Sequence, residues 1–423
     1  MTLAIVILLL LFFLSVPVAL ALGIAPVLAL MERGMPLIVL PQTVFEALDS
    51  FTLMAVPLYI LAGKLMESAG IARRLIEFSA SLVNWFRGGL GGAAVLTCMF
   101  FSTISGSSTA TASAIGSAMI PEMNRRNYPK PLGASIIASS SELGVIIPPS
   151  VPMIIYGVMT NVSIASLFLA GILPGLMIGI SLILTVAVIA KVTRIGHVET
   201  MTVGEWLGNV LHCGRRALLS LMMPVIILGG IYMGVFTATE AAVVAVAYAF
   251  FIGKFFYGSI RWREVPGIFA SAALTSAIVL VIVGFAAVFA YALSLFRVPQ
   301  QVAELLLFVS ENPLVFLLMV NVLLLVTGMF METFAAIIIL APVLAPVAAI
   351  MGIDPIHFAM IMIANLAIGM VTPPVGVNLF VACSVAGIRI EQIVRPLLIF
   401  LFVLLLNLAV ITYVPALSLA LVY

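Results

Sequence analysis

The sequence predicts an all-α polytopic membrane protein built as inverted repeats, with two re-entrant helical hairpins and two broken helices. Three observations carry that reading. Of the 423 residues, 64% are hydrophobic and 8% charged, with a mean hydropathy of +1.34, whereas a soluble domain carries roughly a quarter charged residues. A Gly-x-x-x-Pro-Pro stretch occurs twice, as Gly144 to Pro149 and as Gly369 to Pro374, 225 positions apart, and Pro121 returns as Pro346 at the same offset. Finally, one segment that reads as membrane-embedded is crowded with hydroxyls, from Ser102 through Ser105, Ser107, Ser108, Thr109 and Thr111 to Ser113. Each prolyl pair (Pro148 and Pro149, Pro373 and Pro374) removes two backbone donors and clashes with the preceding turn, so a helix reaching it breaks at membrane depth. Backbone groups freed there must be buried in protein or line a polar cavity. A pair of such breaks in corresponding halves points to a transporter site.

In chain order, a first span covers about 3–30, softened by Pro17 and Pro26, and a second covers about 51–67 after the amphipathic stretch 42–50. From Ile71 to Arg87, the residues Arg73, Arg74, Glu77, Asn84 and Arg87 interrupt apolar positions at helical spacing, which describes a helix lying on the membrane surface. The run 88–123 is apolar but flanked by basic residues at both ends, Arg87 before and Arg125, Arg126 and Lys130 after. Ends on one side require entry and exit on one side, hence a hairpin with its tip at 103–108. A broken span follows (131–143 and 150–160), then a span at 164–190, a surface helix at 202–214, and spans at 217–235, 238–256 and 266–296. The first pattern then returns: an amphipathic arm at 300–311, a hairpin at 313–350 with its tip at 327–333, a second broken span at 356–386 and a last crossing at 396–418.

The distribution of positive charge tests this arrangement, since cytoplasmic loops collect Lys and Arg. With nine full crossings and a cytoplasmic N-terminus, 16 of the 18 basic residues fall inside, leaving Arg33 and Arg297 outside, and the C-terminus is periplasmic. Five crossings separate the hairpins, an odd number, so the two repeats are inverted. The first hairpin opens to the cytoplasm and the second, flanked by Glu304, Glu311 and Asp354, to the outside. The apolar N-terminal run has no basic region before it and reads as a retained helix rather than a cleaved signal.

Several function classes are excluded by what the chain carries. A net charge of +2 offers no basis for nucleic-acid binding, and the three cysteines, Cys98, Cys213 and Cys383, have no metal-ligand spacing and read as small buried hydrophobes. His197, His212 and His357 all fall near span ends, where surface exposure is the ordinary expectation, and they are too dispersed to serve an intramembrane enzyme. No Gly-rich loop ending in Gly-Lys-Ser/Thr is present, which disfavours an ATP-driven pump. Trp85, Trp206 and Trp262 sit beside basic loops as interfacial anchors. What remains is a non-enzymatic carrier, or a channel lined by the hydroxyl-rich tips. Single Ser and Thr residues in membrane helices commonly bond their own backbone, so the cluster carries more weight than any member.

Taken together, Pro57 to Gly63, Ile104-Ser-Gly-Ser-Ser-Thr-Ala110, Gly116 to Pro121, Gly144 to Ser150 and Gly369 to Pro374 resemble the large membrane subunit of tripartite ATP-independent periplasmic (TRAP) transporters over nearly the whole chain. The resemblance implies an elevator-type secondary transporter of the bacterial inner membrane. It would take up an organic acid, a carboxylate such as a C4-dicarboxylate, sialic acid or another sugar acid, driven by Na+. It also implies two partners, a periplasmic substrate-binding protein and a small membrane subunit on a separate chain. A stand-alone ion-coupled carrier of related architecture and an ion channel are the alternatives. One local departure is Ser139-Ser-Ser-Glu142, where the family pattern carries small neutral residues.

On this analogy, 88–160 and 313–386 form a mobile transport domain, while 1–87, 161–312 and 387–423 form the scaffold and the C-terminal span. Na+ prefers oxygen ligands, which frayed tips and broken helices supply. The candidates for one cation site are Ser102, Ser105, Gly106, Ser108 and Glu142, and for its pseudo-equivalent Gly328, Met331, Thr333, Gly369 and Thr372. No Arg or Lys lies within a span core, so an anion falls to half-helix N-termini, bound cations and hydroxyls, with Ser107, Thr109, Ser150, Asn365 and Asn378 as candidate substrate contacts. Glu332 at the second tip reads equally as a cap or a cation ligand.

Overall fold

The computed structural model describes residues 2–14, 16–83, 85–195, 202–309 and 312–423. Asn84, His197 and Glu311, named above, lie outside the described residues. The described chain is a succession of helices: α1 (Thr2–Phe13), α2 (Val18–Glu32), α3 (Val39–Leu48), α4 (Ala55–Ser68), α5 (Ile71–Val83), α6 (Gly89–Ser105), α7 (Ser108–Arg125), α8 (Lys130–Ser141), α9 (Leu143–Ile146), α10 (Val151–Thr160), α11 (Ile164–Thr193), α12 (Val203–Tyr232), α13 (Ala238–Phe251, ending in a π turn to Phe256), α14 (Val265–Leu295), α15 (Val298–Val309), α16 (Pro313–Phe330), α17 (Thr333–Ile350), α18 (Pro355–Gly369), α19 (Val377–Ala386), α20 (Ile390–Tyr413) and α21 (Pro415–Leu419). Seven described helices are long and apolar enough to cross a bilayer, and the count reaches up to nine if each of two bent pairs, α4 with α5 and α8–α9 with α10, is taken as one span.

The two breaks show how lipid-forbidden geometry is accommodated. Leu132 to Ile146 and Ile356 to Gly369 are buried without interruption, so the helical segments that lead into the breaks touch only protein. Pro149 has no N–H for the carbonyl of Val145, and the Ser150 hydroxyl donates to that carbonyl instead at 2.6 Å. In the second repeat Pro374 leaves the carbonyl of Met370 without its partner, and the backbone N–H of Asn378 donates to it at 3.1 Å. Val145 and Met370 are 225 residues apart, so the same vacancy is filled twice by different means. Both prolyl pairs have cis peptide bonds.

The hairpin tips meet the breaks through the backbone. Val151 N–H donates to Gly106 O at 3.4 Å, and Gly376 N–H donates to Met329 O at 2.9 Å. A tip bonded to the middle of a broken span reaches only part-way through the bundle, the re-entrant arrangement expected from the sequence. Close approach also requires glycine. A Cβ on Gly369 would lie 2.6 Å from the Cα of Gly328, and one on Gly144 would lie 2.6 Å from the carbonyl oxygen of Ser107. Gly106 ends α6 with φ of +59°, a left-handed conformation that admits glycine readily.

Three expectations need correction. The first span is two helices, because Pro17 stops the continuous hydrogen-bond ladder and α2 begins immediately after it. The surface helix 202–214 and the span 217–235 are one helix of 30 residues, α12. No proline intervenes, and Arg215 and Arg216 propagate a helix well past Gly214. His357 is buried at 3% exposure rather than surface-lying, because α20 covers this face of α18 and the ring nitrogen Nε2 meets Thr412 O at 3.2 Å. The bend of 73° between α4 and α5 fits the reading of α5 as an arm set across the span before it.

Replacing Gly369 with Ala forces the α16–α18 backbones apart, and overpacking of this kind costs about 1–3 kcal/mol. Gly229→Ala, where an added Cβ meets nothing within 4 Å, is the matched helical control. Thermal unfolding of the detergent-solubilised protein is expected to drop for the first variant and not for the second.

Candidate functional site

A cavity of about 450 Å³ lies where both hairpin tips approach α4 and α14. One wall is the first tip, Ser105 to Ala110, with Val151 and Pro152 at the start of α10; the second tip contributes Glu332, Thr333 and Phe334. Opposite stand Ile60, Gly63, Lys64 and Glu67 of α4 and Thr275, Ile278 and Val279 of α14. The first turns of α7, α10 and α17 therefore border one space. All three turn the positive end of a helix dipole toward it, and α7 and α17 add unpaired first-turn N–H groups, which favours an anion. At α10 Val151 N–H bonds Gly106 O, Pro152 has no N–H and Met153 N–H bonds Ser150 Oγ.

The hydroxyls of the first tip form a closed network. Thr111 Oγ1 donates to Ser107 O at 2.8 Å, which leaves it to accept from Ser105 Oγ at 2.8 Å; Ser107 Oγ lies 3.1 Å from Thr109 Oγ1 and accepts the Ala110 N–H at 3.4 Å. This is local capping chemistry, since the N-cap side chain takes up one of the first-turn donors of α7. The second tip lacks it: Glu332 stands at the N-cap of α17 with no side-chain cap bond. Met370 connects the two tips, its sulfur accepting from Thr333 Oγ1 at 3.0 Å and from Ser108 Oγ at 3.7 Å. Ser108 and Thr333 are again 225 apart.

The model of the DctM component of tripartite ATP-independent periplasmic transporters matches residues 5–417. The chain belongs to this family. It is 43% identical over 377 residues to the C4-dicarboxylate TRAP transporter large permease protein of Pseudomonas aeruginosa, covering 89% of this chain and 87% of that one. It is 42% identical over 404 residues to the isethionate TRAP transporter permease protein DctMQ of Oleidesulfovibrio alaskensis, covering 95% of this chain and 63% of the relative. The crystal structure of the Alcanivorax borkumensis YdaH transporter superposes with a TM-score of 0.63 at 16% identity, covering 89% of this chain and 88% of that one, a likeness of fold alone.

Within this DctM-family chain, the residues singled out from sequence fall into five groups, the last being the pair Glu142 and Asn378. Ser105, Gly106, Ser107, Ser108, Thr109 and Thr333 border the cavity. Ser102, Ser150 and Thr372 spend their hydroxyls on nearby carbonyls, of Cys98 at 2.5 Å, Val145 at 2.6 Å and Ile368 at 2.8 Å. Gly328 packs on Gly369, and Met331 caps α16 through its N–H to Thr327 O. Asn365 donates to Asn321 Oδ1 at 2.6 Å, across to α16.

Glu142 and Asn378, assigned to different sites from sequence, contact each other instead. Asn378 Nδ2 donates to Glu142 Oε1 at 2.6 Å and to Ser141 Oγ at 3.3 Å, and both Glu142 and Asn378 are wholly buried. This bond joins the first broken helix to the helix that follows the second break, so it crosses between repeats.

Lys64 was missed as a site residue because it closes a span and counted as flank. Yet it borders the cavity and pairs with Glu67 at 3.2 Å. The Lys-x-x-Glu spacing on a helix was the available signal. Among the described residues no cluster of His, Cys, Asp or Glu forms a transition-metal site.

Asn378→Leu leaves the Glu142 oxygen without its donor, a loss of about 1–3 kcal/mol. The double variant Glu142→Met with Asn378→Leu removes both polar partners and is expected to recover most of that stability. Chemical or thermal unfolding of the four proteins of this cycle measures it.

Proposed function

We propose that this chain is the translocating subunit of a Na+-coupled importer for an organic acid, handed over by a periplasmic binding protein and working beside a separate small membrane subunit. The observation that carries the reading is the convergence of three half-helix N-termini and Lys64 on one cavity of about 450 Å³, a volume within the range of small-ligand sites. That arrangement suits a small carboxylate, with the first turns of α7 and α17 and the dipole of α10 receiving one anionic group, and Lys64, exchanging its bond to Glu67, the other. A C4-dicarboxylate is the favoured class, in keeping with the C4-dicarboxylate TRAP transporter permease of Pseudomonas aeruginosa. The fused DctMQ relative supports a small partner subunit, since it carries sequence beyond the region shared with this chain.

Coupling to Na+ follows from donor chemistry. The hydroxyl and carbonyl oxygens of Ser102, Ser105, Gly106 and Ser108 near the first tip, and those of Gly328, Met331, Thr333, Gly369 and Thr372 near the second, are hard ligands without fixed charge. A cation at either tip adds positive potential beside the substrate anion, so each favours binding of the other. The cavity lies between the hairpins and broken helices on one side and α4 with α14 on the other. Sliding of the first group against the second would carry the occupied cavity across the membrane, and the small Gly63, whose Cβ position stands 3.5 Å from Ser105 Cα, keeps that contact smooth.

Uptake of a labelled C4-dicarboxylate into proteoliposomes that contain the chain and its small partner, with the binding protein outside, tests the proposal. Accumulation under an inward Na+ gradient and none under K+ is expected. Accumulation without the binding protein identifies a stand-alone carrier, and equilibration regardless of cation identifies a channel. Pro148→Ala with Pro149→Ala, and separately Gly106→Leu, are expected to abolish uptake in inserted protein; normal uptake by both overturns the site. Lys64→Gln is expected to raise the half-saturating substrate concentration about tenfold, the equivalent of about 1.4 kcal/mol, with Lys64→Arg close to the parent.

A further inference from the structure

A second recess, of about 750 Å³, opens between α5, α12 and the chain that follows α13, remote in function from the hairpin cavity. Arg73, Arg74, Arg215 and Arg216 border it, with Glu77 as the carboxylate among its lining residues. Arg73 engages Glu77 at 3.3 Å, which leaves three guanidinium groups to the recess. Arg215 and Arg216 are exposed and make no ion pair with a described residue.

The floor of the recess is held in place. The Arg74 guanidinium carbon stands 3.6 Å from the centre of the Tyr257 ring, and its Nη1 donates to the carbonyls of Ala69 and Gly70 at 3.3 and 3.1 Å, at the elbow between α4 and α5. Tyr257 Oη lies 3.1 Å from Ser220 Oγ on α12. Arg74 is thus ordered before any ligand arrives, with donors left over, and the two arginines on α12 stand at the rim. With Glu77 committed to Arg73, the three remaining like charges call for an anion, and guanidinium groups in a fixed cluster match phosphate oxygens.

The surroundings identify which kind of phosphate. Leu211 and Leu218 on α12 and Phe251, Phe255 and Phe256 at the end of α13 and in its π turn are exposed large hydrophobics, and Trp262, stacked by Lys254, is 65% exposed. A basic recess on helices that also carry outward-facing apolar and aromatic side chains is the arrangement that takes a headgroup in the recess and acyl chains along the helices. We propose that this recess binds the headgroup phosphate of an anionic phospholipid, and that the bound lipid clamps the arm α5 to α12.

Native mass spectrometry of the full chain in detergent, titrated with cardiolipin, phosphatidylcholine or inorganic phosphate, tests the assignment. Expected is preferential retention of cardiolipin, weakened about tenfold or more in Arg215→Gln with Arg216→Gln, as follows from removing two phosphate-facing charges. Both positions are exposed, so the double variant is expected to unfold at the parent temperature without lipid. Cardiolipin is expected to raise that temperature in the parent alone. Equal retention by parent and variant overturns the proposal, as does displacement of cardiolipin by inorganic phosphate at comparable concentration, which would make the site one for soluble anions.

Discussion

A backbone carbonyl without a donor is intolerable inside a bilayer, and much of this structure follows from meeting that demand at two places where proline has removed the donor. Pro149 and Pro374 orphan the carbonyls of Val145 and Met370; a serine hydroxyl serves one and a backbone amide the other. Neither repair works unless water and lipid are kept out, hence the unbroken burial of Leu132 to Ile146 and Ile356 to Gly369. That burial needs neighbours on every side, and the hairpins supply them. Their glycines let backbones approach to distances that a methyl group would forbid.

The same breaks generate the site's electrostatics. Each interrupted or re-entrant helix starts afresh inside the bundle with the positive end of a new dipole, and at α7 and α17 with donors that its own turn cannot use. Three such starts border one cavity. The first-tip hydroxyls mostly bond one another and nearby carbonyls, so the tip is shaped before any ligand is present. Lys64, Glu67 and Glu332 add the cavity's formal charges from the opposite wall and the second tip.

Much of this was legible in the chain. Repeated Pro-Pro pairs, the offset of 225 and basic flanks at both ends of one apolar run located both breaks and both hairpins, because each of these features acts locally on the backbone. Features set by packing between distant segments were not legible. Nothing within several residues of Glu142 names Asn378 as its partner, 236 positions away. His357 looked like a boundary residue because sequence position does not reveal that α20 lies across it. Lys64 looked like a topogenic charge for the same reason: its place beside the cavity depends on which way α4 turns, and α4 faces the tips. Where no residue forbids a helix, as between 214 and 217, amphipathic and apolar stretches fuse, and the change of character in sequence does not mark a joint.

The lengths of the helices divide the labour of living in lipid. α11, α12 and α14 have 30, 30 and 31 residues, about 45 Å each, well beyond a hydrocarbon core of about 30 Å. Such helices lean or protrude, and their exposed faces take up variation in bilayer thickness at a cost of fractions of a kcal/mol per ångström. The buried faces of α8 and α18 meet no acyl chains at all. A membrane that thickens or thins therefore deforms the rim first, and the short helices around the cavity are insulated from it by their own neighbours.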